Sequence, residues 1–160
     1  MADGAIGKAV KSLAAVAADC PPDVAPRVEP PASPAELADL EDACGAPLPD
    51  ALVDLLRTTR AIVAMEIHNG CWIGGPAQLA RSIRRRDFPA EIDAGGTRAR
   101  ALPFATDGGG NAFMLVTGGS VWRWDRETGA ATRVADDLPA FLGRVADDWR
   151  RHLEGEAGSP

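Results

Sequence analysis

LPFATDGGGNAFMLVTGGSVWRWDRETGAATRVADDLPAFLGRVADDWRRHL, residues 102–153, sets short apolar runs between glycine-rich turns and ends in one amphipathic stretch. Ala112, Phe113, Met114, Leu115 and Val116 follow Asp107, Gly108, Gly109, Gly110 and Asn111, and precede Gly118 and Gly119. Apolar runs of this length, bounded by Gly, Asn and Asp, read as strands. Val121, Trp122, Arg123 and Trp124 give the next strand. Alternation puts Val121 and Arg123 on one side, Trp122 and Trp124 on the other. Gly118 and Gly119 suit a tight hairpin, where positive φ is needed. Residues 125–129 turn the chain again, and 131–134 form a third strand. Asp136 or Asp137 can cap a helix whose first turn tolerates Pro139. Leu138, Phe141, Leu142, Val145, Trp149 and Leu153 recur at spacings of three and four, so they share a buried face. Arg150, Arg151 and His152 are expected in the last turn, where positive charge suits the helix dipole. A meander closed by a helix presents a surface, and this one contains no catalytic set.

The whole chain, 160 residues, fits one compact domain. Its net charge of −6 and pI of about 4.9 disfavour nucleic acid, which needs a cationic face, and favour a basic partner. No apolar run reaches the roughly 20 residues that span a bilayer. The N-terminus begins with an acid and breaks its apolar residues with Lys8, Lys11 and Ser12, so it reads as a helix and not as a signal peptide. A cytoplasmic protein is expected. Cys20, Cys44 and Cys71 form neither a disulfide framework nor a zinc spacing. They read as reduced thiols.

Ile6, Ala9, Val10, Leu13, Val16 and Ala17 define an amphipathic helix within residues 1–20. Prolines make 21–33 an extended linker. A domain over 34–154 follows, with a flexible tail at 155–160. Ser33, Pro34 and Glu36 compose a capping box, with Glu36 expected to reach back to the Ser33 amide, and Gly45 is the natural stop. The expected helices are 4–18, 34–44, 49–59 and 138–153, with a short one over 76–86. The expected strands are 61–67, 71–73, 102–105, 112–116, 121–125 and 131–134. His68, Asn69 and Gly70 supply a hairpin signal between the first two. Residues 87–100 lack periodicity and read as loop, covering a sheet edge. The expected core is Leu40, Leu52, Leu55, Leu56, Phe113, Leu115, Trp122, Phe141, Leu142 and Val145.

Taken in order, SPAELADLEDACGAPLPDALVDLL, LPFATDGGGNAFML and SVWRWDRETGAATRVADDLPAFLGRV resemble the SUKH superfamily, which includes fungal cell-wall synthesis regulators and many bacterial immunity proteins. The resemblance covers about 31–153. It implies an α+β fold, with a mostly antiparallel sheet and helices packed mainly on one side, in agreement with the pattern above. It also implies a non-enzymatic immunity protein that occludes a toxin domain, or a regulatory or scaffolding module without a toxin partner.

Residues 107–111 resemble a phosphate loop, but a strand follows and no Lys is near, so a turn is the stronger reading. Glu66 and His68 share a strand face and could suggest acid–base chemistry or a metal, yet no third ligand accompanies them. A small enzyme using Glu66, His68 and Asp107 therefore ranks below the binding readings. Trp122 and Trp124 read as core. The arginines at 81 and 84–86 read as a solvated helix end. Binding residues concentrate on turns of a rigid scaffold. The candidate protein contacts are thus Asp107, Asn111, Asp125, Arg126 and Glu127, with Glu66 and His68 behind them, on an open sheet face. No metal, nucleotide or other cofactor is expected.

Overall fold

Ser33 starts the second helix as its sequence requires: its Oγ accepts from the Glu36 amide at 3.2 Å, with Pro34 in the first turn and Gly45 closing the end at φ 68°. The Glu36 carboxylate lies 3.8 Å from Arg60 instead of returning to the Ser33 amide. The computed structural model describes residues 4–65 and 70–157. Its elements are α1 (Ala5–Ala18), β1 (Arg27–Val28), α2 (Pro34–Cys44), α3 (Asp50–Thr58), β2 (Ala61–Ala64), β3 (Cys71–Gly74), α4 (Pro76–Arg85), β4 (Glu91–Asp93), β5 (Arg98–Asp107), β6 (Ala112–Val116), β7 (Val121–Trp124), β8 (Ala131–Ala135) and α5 (Leu138–Ala157).

The fold is α+β. The strands run in the order β1-β2-β3-β5-β6-β7-β8, with β4 attached to β5. Every pairing is antiparallel. Helices cover one face. Leu13 of α1, Leu40 of α2, Leu52, Leu55 and Leu56 of α3, and Leu138, Phe141 and Leu142 of α5 meet Ile62, Ile73, Phe104, Leu115 and Val121 of the sheet. Phe141 packs edge-on to Phe104, ring centres 5.3 Å apart, and tilted against Phe113 at 4.9 Å. Asp137 caps α5 by accepting from the Ala140 amide at 2.8 Å.

The proline-rich segment is extended, and it is strapped to the sheet. Arg27 and Val28 pair with Val63 and Ile62. The Ala32 amide donates to Leu56 and the Arg60 amide to Pro30. The buried Thr59 hydroxyl lies 2.6 Å from the Glu29 carbonyl. These bonds satisfy backbone groups that prolines would otherwise leave unpaired.

Four expectations are corrected. Residues 87–100 are not a loop: they hold β4 and the first residues of β5, paired Glu91 to Arg100 and Asp93 to Arg98. This hairpin covers a sheet face and not an edge. Ile92 joins Ala112, Met114 and Val116 in a second buried cluster, with Phe88 and Trp122 against it. Trp122, Phe113 and Val145, expected to be largely buried, are half-buried; Phe113 and Val145 pack on the first cluster, and Trp122 and Trp124 belong to the second. Helix α5 runs on to Ala157, so Arg150 and Arg151 are not in its last turn. They pair with Asp147 and Asp148 one turn back. Finally, β2 ends at Ala64, short of the expected residue 67; Glu66 and Ile67 lie outside the described residues.

Candidate functional site

Two turns meet at one end of the meander and form a polar rim. Asp107 ends β5. Its Oδ1 accepts from the amides of Gly109 (2.9 Å) and Asn111 (3.1 Å). Its Oδ2 accepts from Asn111 Nδ2 (3.2 Å) and from the Arg123 guanidinium (3.3 Å). The carboxylate thus organises a turn from within, and its side chain is only 14% exposed. Asn111 carries the link onward: its Oδ1 accepts from the Arg126 amide at 3.0 Å. Asp125 repeats the pattern in the next turn, accepting from Glu127 (2.8 Å) and Thr128 (3.1 Å). Those two amides, ahead of the Arg123 charge, hold the Asp125 carboxyl below its ordinary range.

The structure therefore brings Asp107, Asn111, Asp125, Arg126 and Glu127 together. It also separates their situations. Asp107, Asn111 and Asp125 are engaged in the turns, while Arg126 and Glu127 are exposed at the tip. Glu66 and His68 lie outside the described residues. A Cβ placed on Gly70, which follows them in sequence, would lie 3.6 Å from the Cα of Gly108 in the rim.

A second feature lies around the other end of the five-residue β6 and reaches back to Trp124, the residue before Asp125. It is a groove of about 1070 Å³. The turn after α2, the end of α4, residues 86–90, the β5 segment around Leu102, and the turn at Gly118 and Gly119 form its walls. Phe88 closes on Trp124 edge-on, ring centres 5.8 Å apart. Sequence reasoning missed this groove because it joins residues that are distant in the chain. The nearest signal was the basic run at the end of α4.

Arg84 of that run is a tie between helices, reaching Asp39 at 2.8 Å and Asp42 at 3.2 Å. The Arg84 hydrogen bond holds the Asp39 carboxyl below its ordinary range. The three cysteines are free thiols. Burial, then the Asp107 charge, pushes Cys71 up to about 12, which keeps it a thiol and a poor nucleophile. Among the described residues no group of three or more His, Cys, Asp or Glu is placed to hold a metal ion, and no helix is long and apolar enough to cross a membrane.

An antiparallel sheet backed by helices, with its polar groups gathered on turns, defines a class of small α+β scaffold. The sequence profile of the SMI1 / KNR4 family (SUKH-1) matches residues 31–144 of this scaffold, and the chain belongs to that family. A comparison with curated proteins gives no match. The matched span begins after α1 and ends within α5, and these two helices pack on each other.

Proposed function

We propose that the chain is a non-enzymatic protein-binding module, an immunity protein that neutralises a cognate toxin domain by covering it. Family membership over residues 31–144 carries this reading, because the family is one of immunity and regulatory modules. The net charge of −6 supports a basic partner, since opposite charge speeds encounter and fixes orientation. Arg126 and Glu127 are the direct contacts in this proposal. Asp107, Asn111 and Asp125 hold the rim in shape, and Glu66 and His68 complete the candidate set.

Affinity capture from the native cell, with the captured protein then co-expressed, tests it. The expected result is a stoichiometric partner that is toxic alone and harmless with this chain. Glu127→Lys should slow its association, as should raised salt. Capture of a signalling complex with no toxic member would replace the proposal with the scaffolding reading.

A further inference from the structure

The sheet ends in two different ways. Strand β8, at one end of the strand order, carries its own protection. Its pairing with β7 is broken by a bulge, Thr132 and Arg133 are exposed, and the Val134 carbonyl accepts from the Arg144 side chain. Irregularity and charge of this kind discourage pairing with another chain. Strand β2 has none of these devices. Residues 61–64 read Ala-Ile-Val-Ala, uncharged and without proline, and all four are buried. Without residues 27–29 beside it, β2 would end the sheet as a regular apolar edge.

The strap that covers this edge bonds unevenly on its two sides. The Glu29 amide donates to the Ala61 carbonyl at 2.9 Å. Arg27 pairs with Val63 and Val28 with Ile62, so by alternation Arg27 also turns its amide to β2, and Val28 turns its amide away. Pro26 and Pro30 flank these residues and have no amide at all. Over residues 26–30 the side facing β2 thus offers two donors, Arg27 and Glu29, and the side facing away offers Val28 alone. A further strand laid on β1 would find little to bond to. Strap and prolines together bring the sheet to a stop.

We propose that the strap is an edge guard: it terminates the sheet and keeps β2 from pairing with β2 of a second copy of the chain. The edge itself selects that occupant. Ala61 and Val63 are the residues that face the strap, so an antiparallel copy pairs Ala61 with Val63 and brings Ile62 opposite its own equivalent. Every such pair is apolar and uncharged. The Ile62 of the copy takes the position of Val28, so a β-branched apolar side chain again meets the core. The strap prevails because it belongs to the same chain, which gives it a high effective concentration at the edge. This role goes beyond the toxin reading and does not depend on it. It falls to residues that precede the family-matched span, which begins at residue 31.

The test uses the full chain and measures its mass in solution by light scattering, with trypsin cleavage after Arg27 reporting release of the strap. Wild type should resist cleavage there. Val28→Asp sets a charge against the core, and Glu29→Pro removes the amide given to Ala61. Each should speed cleavage about tenfold or more, as local opening becomes easier, and raise the mass above that of wild type. Adding Val63→Pro should return it to the wild-type mass, because proline removes a donor of the strap-facing edge and leaves the β3 pairing of Ile62 and Ala64 in place. Val63→Lys should do the same by charge. Circular dichroism confirms that each variant is folded. A released strap with the mass unchanged at about 100 μM, where exposed strand edges associate, would overturn the proposal. So would association that persists with both Val63 substitutions, since another surface would then be responsible. Cleavage as slow in both strap variants as in wild type would overturn it too, because the cover would not rest on this pairing.

Discussion

At the Asn111 end of β6, Asp107 uses both carboxylate oxygens to hold its own turn. At the Val116 end, Arg86 and Arg100 line a largely apolar groove, and neither side chain has a hydrogen-bond or ion-pair partner among the described residues. The two ends hang on one scaffold, and both carry charge. They differ in whether that charge has already been satisfied. Polar residues that stand out in a sequence, Asp and Asn among glycines, stand out because turns need them. In the binding role proposed above, the capacity left over sits on less conspicuous residues, Glu127 and Arg126 at the rim tip.

The comparison presumes that both ends depend on a common core. Phe141→Ala tests this with the largest effect, a loss of about 3–5 kcal/mol in denaturant melts, because its ring fills the space against Phe104 and Phe113. A loss below about 1 kcal/mol would mean that α5 does not anchor the meander. Asp107→Ala comes next, at about 2 kcal/mol, since several turn donors lose their acceptor together. Little change in the melt would show that the carboxylate is free for a partner, and the contrast with the groove would collapse. Arg86→Gly should stabilise by about 1 kcal/mol, because glycine adopts positive φ without strain. If it destabilises instead, the Arg86 side chain supports the fold and is not spare.

The smallest effect is on pH dependence. Asp125 has a folded-state pKa below its ordinary 3.8. A depressed carboxyl contributes its stability above the unfolded value and loses it as pH falls through the lower folded value. The contribution is therefore complete near neutrality and fades below about pH 4, with the ordinary Asp value as guide. Asp125→Asn keeps an oxygen for the Glu127 and Thr128 amides, and it should flatten the acid side of a stability–pH curve. An unchanged slope would mean that these turn bonds do not discriminate between the two protonation states.

Much of this scaffold was legible because its signals are local. Ser33 and Gly45 mark the ends of α2 by their own chemistry, and Gly118 and Gly119, both at φ 100°, mark a hairpin. The three-and-four spacing from Leu138 to Trp149 reported the buried face of α5. What was illegible is short or composite. Strand β4 is three residues with one apolar side chain, Ile92, so periodicity has nothing to count. Strand β1 is two residues amid prolines and exists only because β2 lies beside it. The rim residues were legible as turn chemistry, but their internal hydrogen bonds were not, because Arg123 reaches Asp107 across the sheet. The groove needs Ala46, Arg86 and Arg100 together, and nothing local links them.

The packing of α1 on α5 also governs the order of events during synthesis. The ribosome makes Ile6, Val10, Leu13 and Val16 more than a hundred residues before α5, the helix that packs on them. Helix α3 offers earlier and partial cover. Until α5 emerges, an apolar stripe waits in solution across most of the translation of these residues. Contacts between such distant segments slow folding, and waiting apolar surface is what chaperones recognise. Burial of the α1 stripe is thus timed by the synthesis of α5.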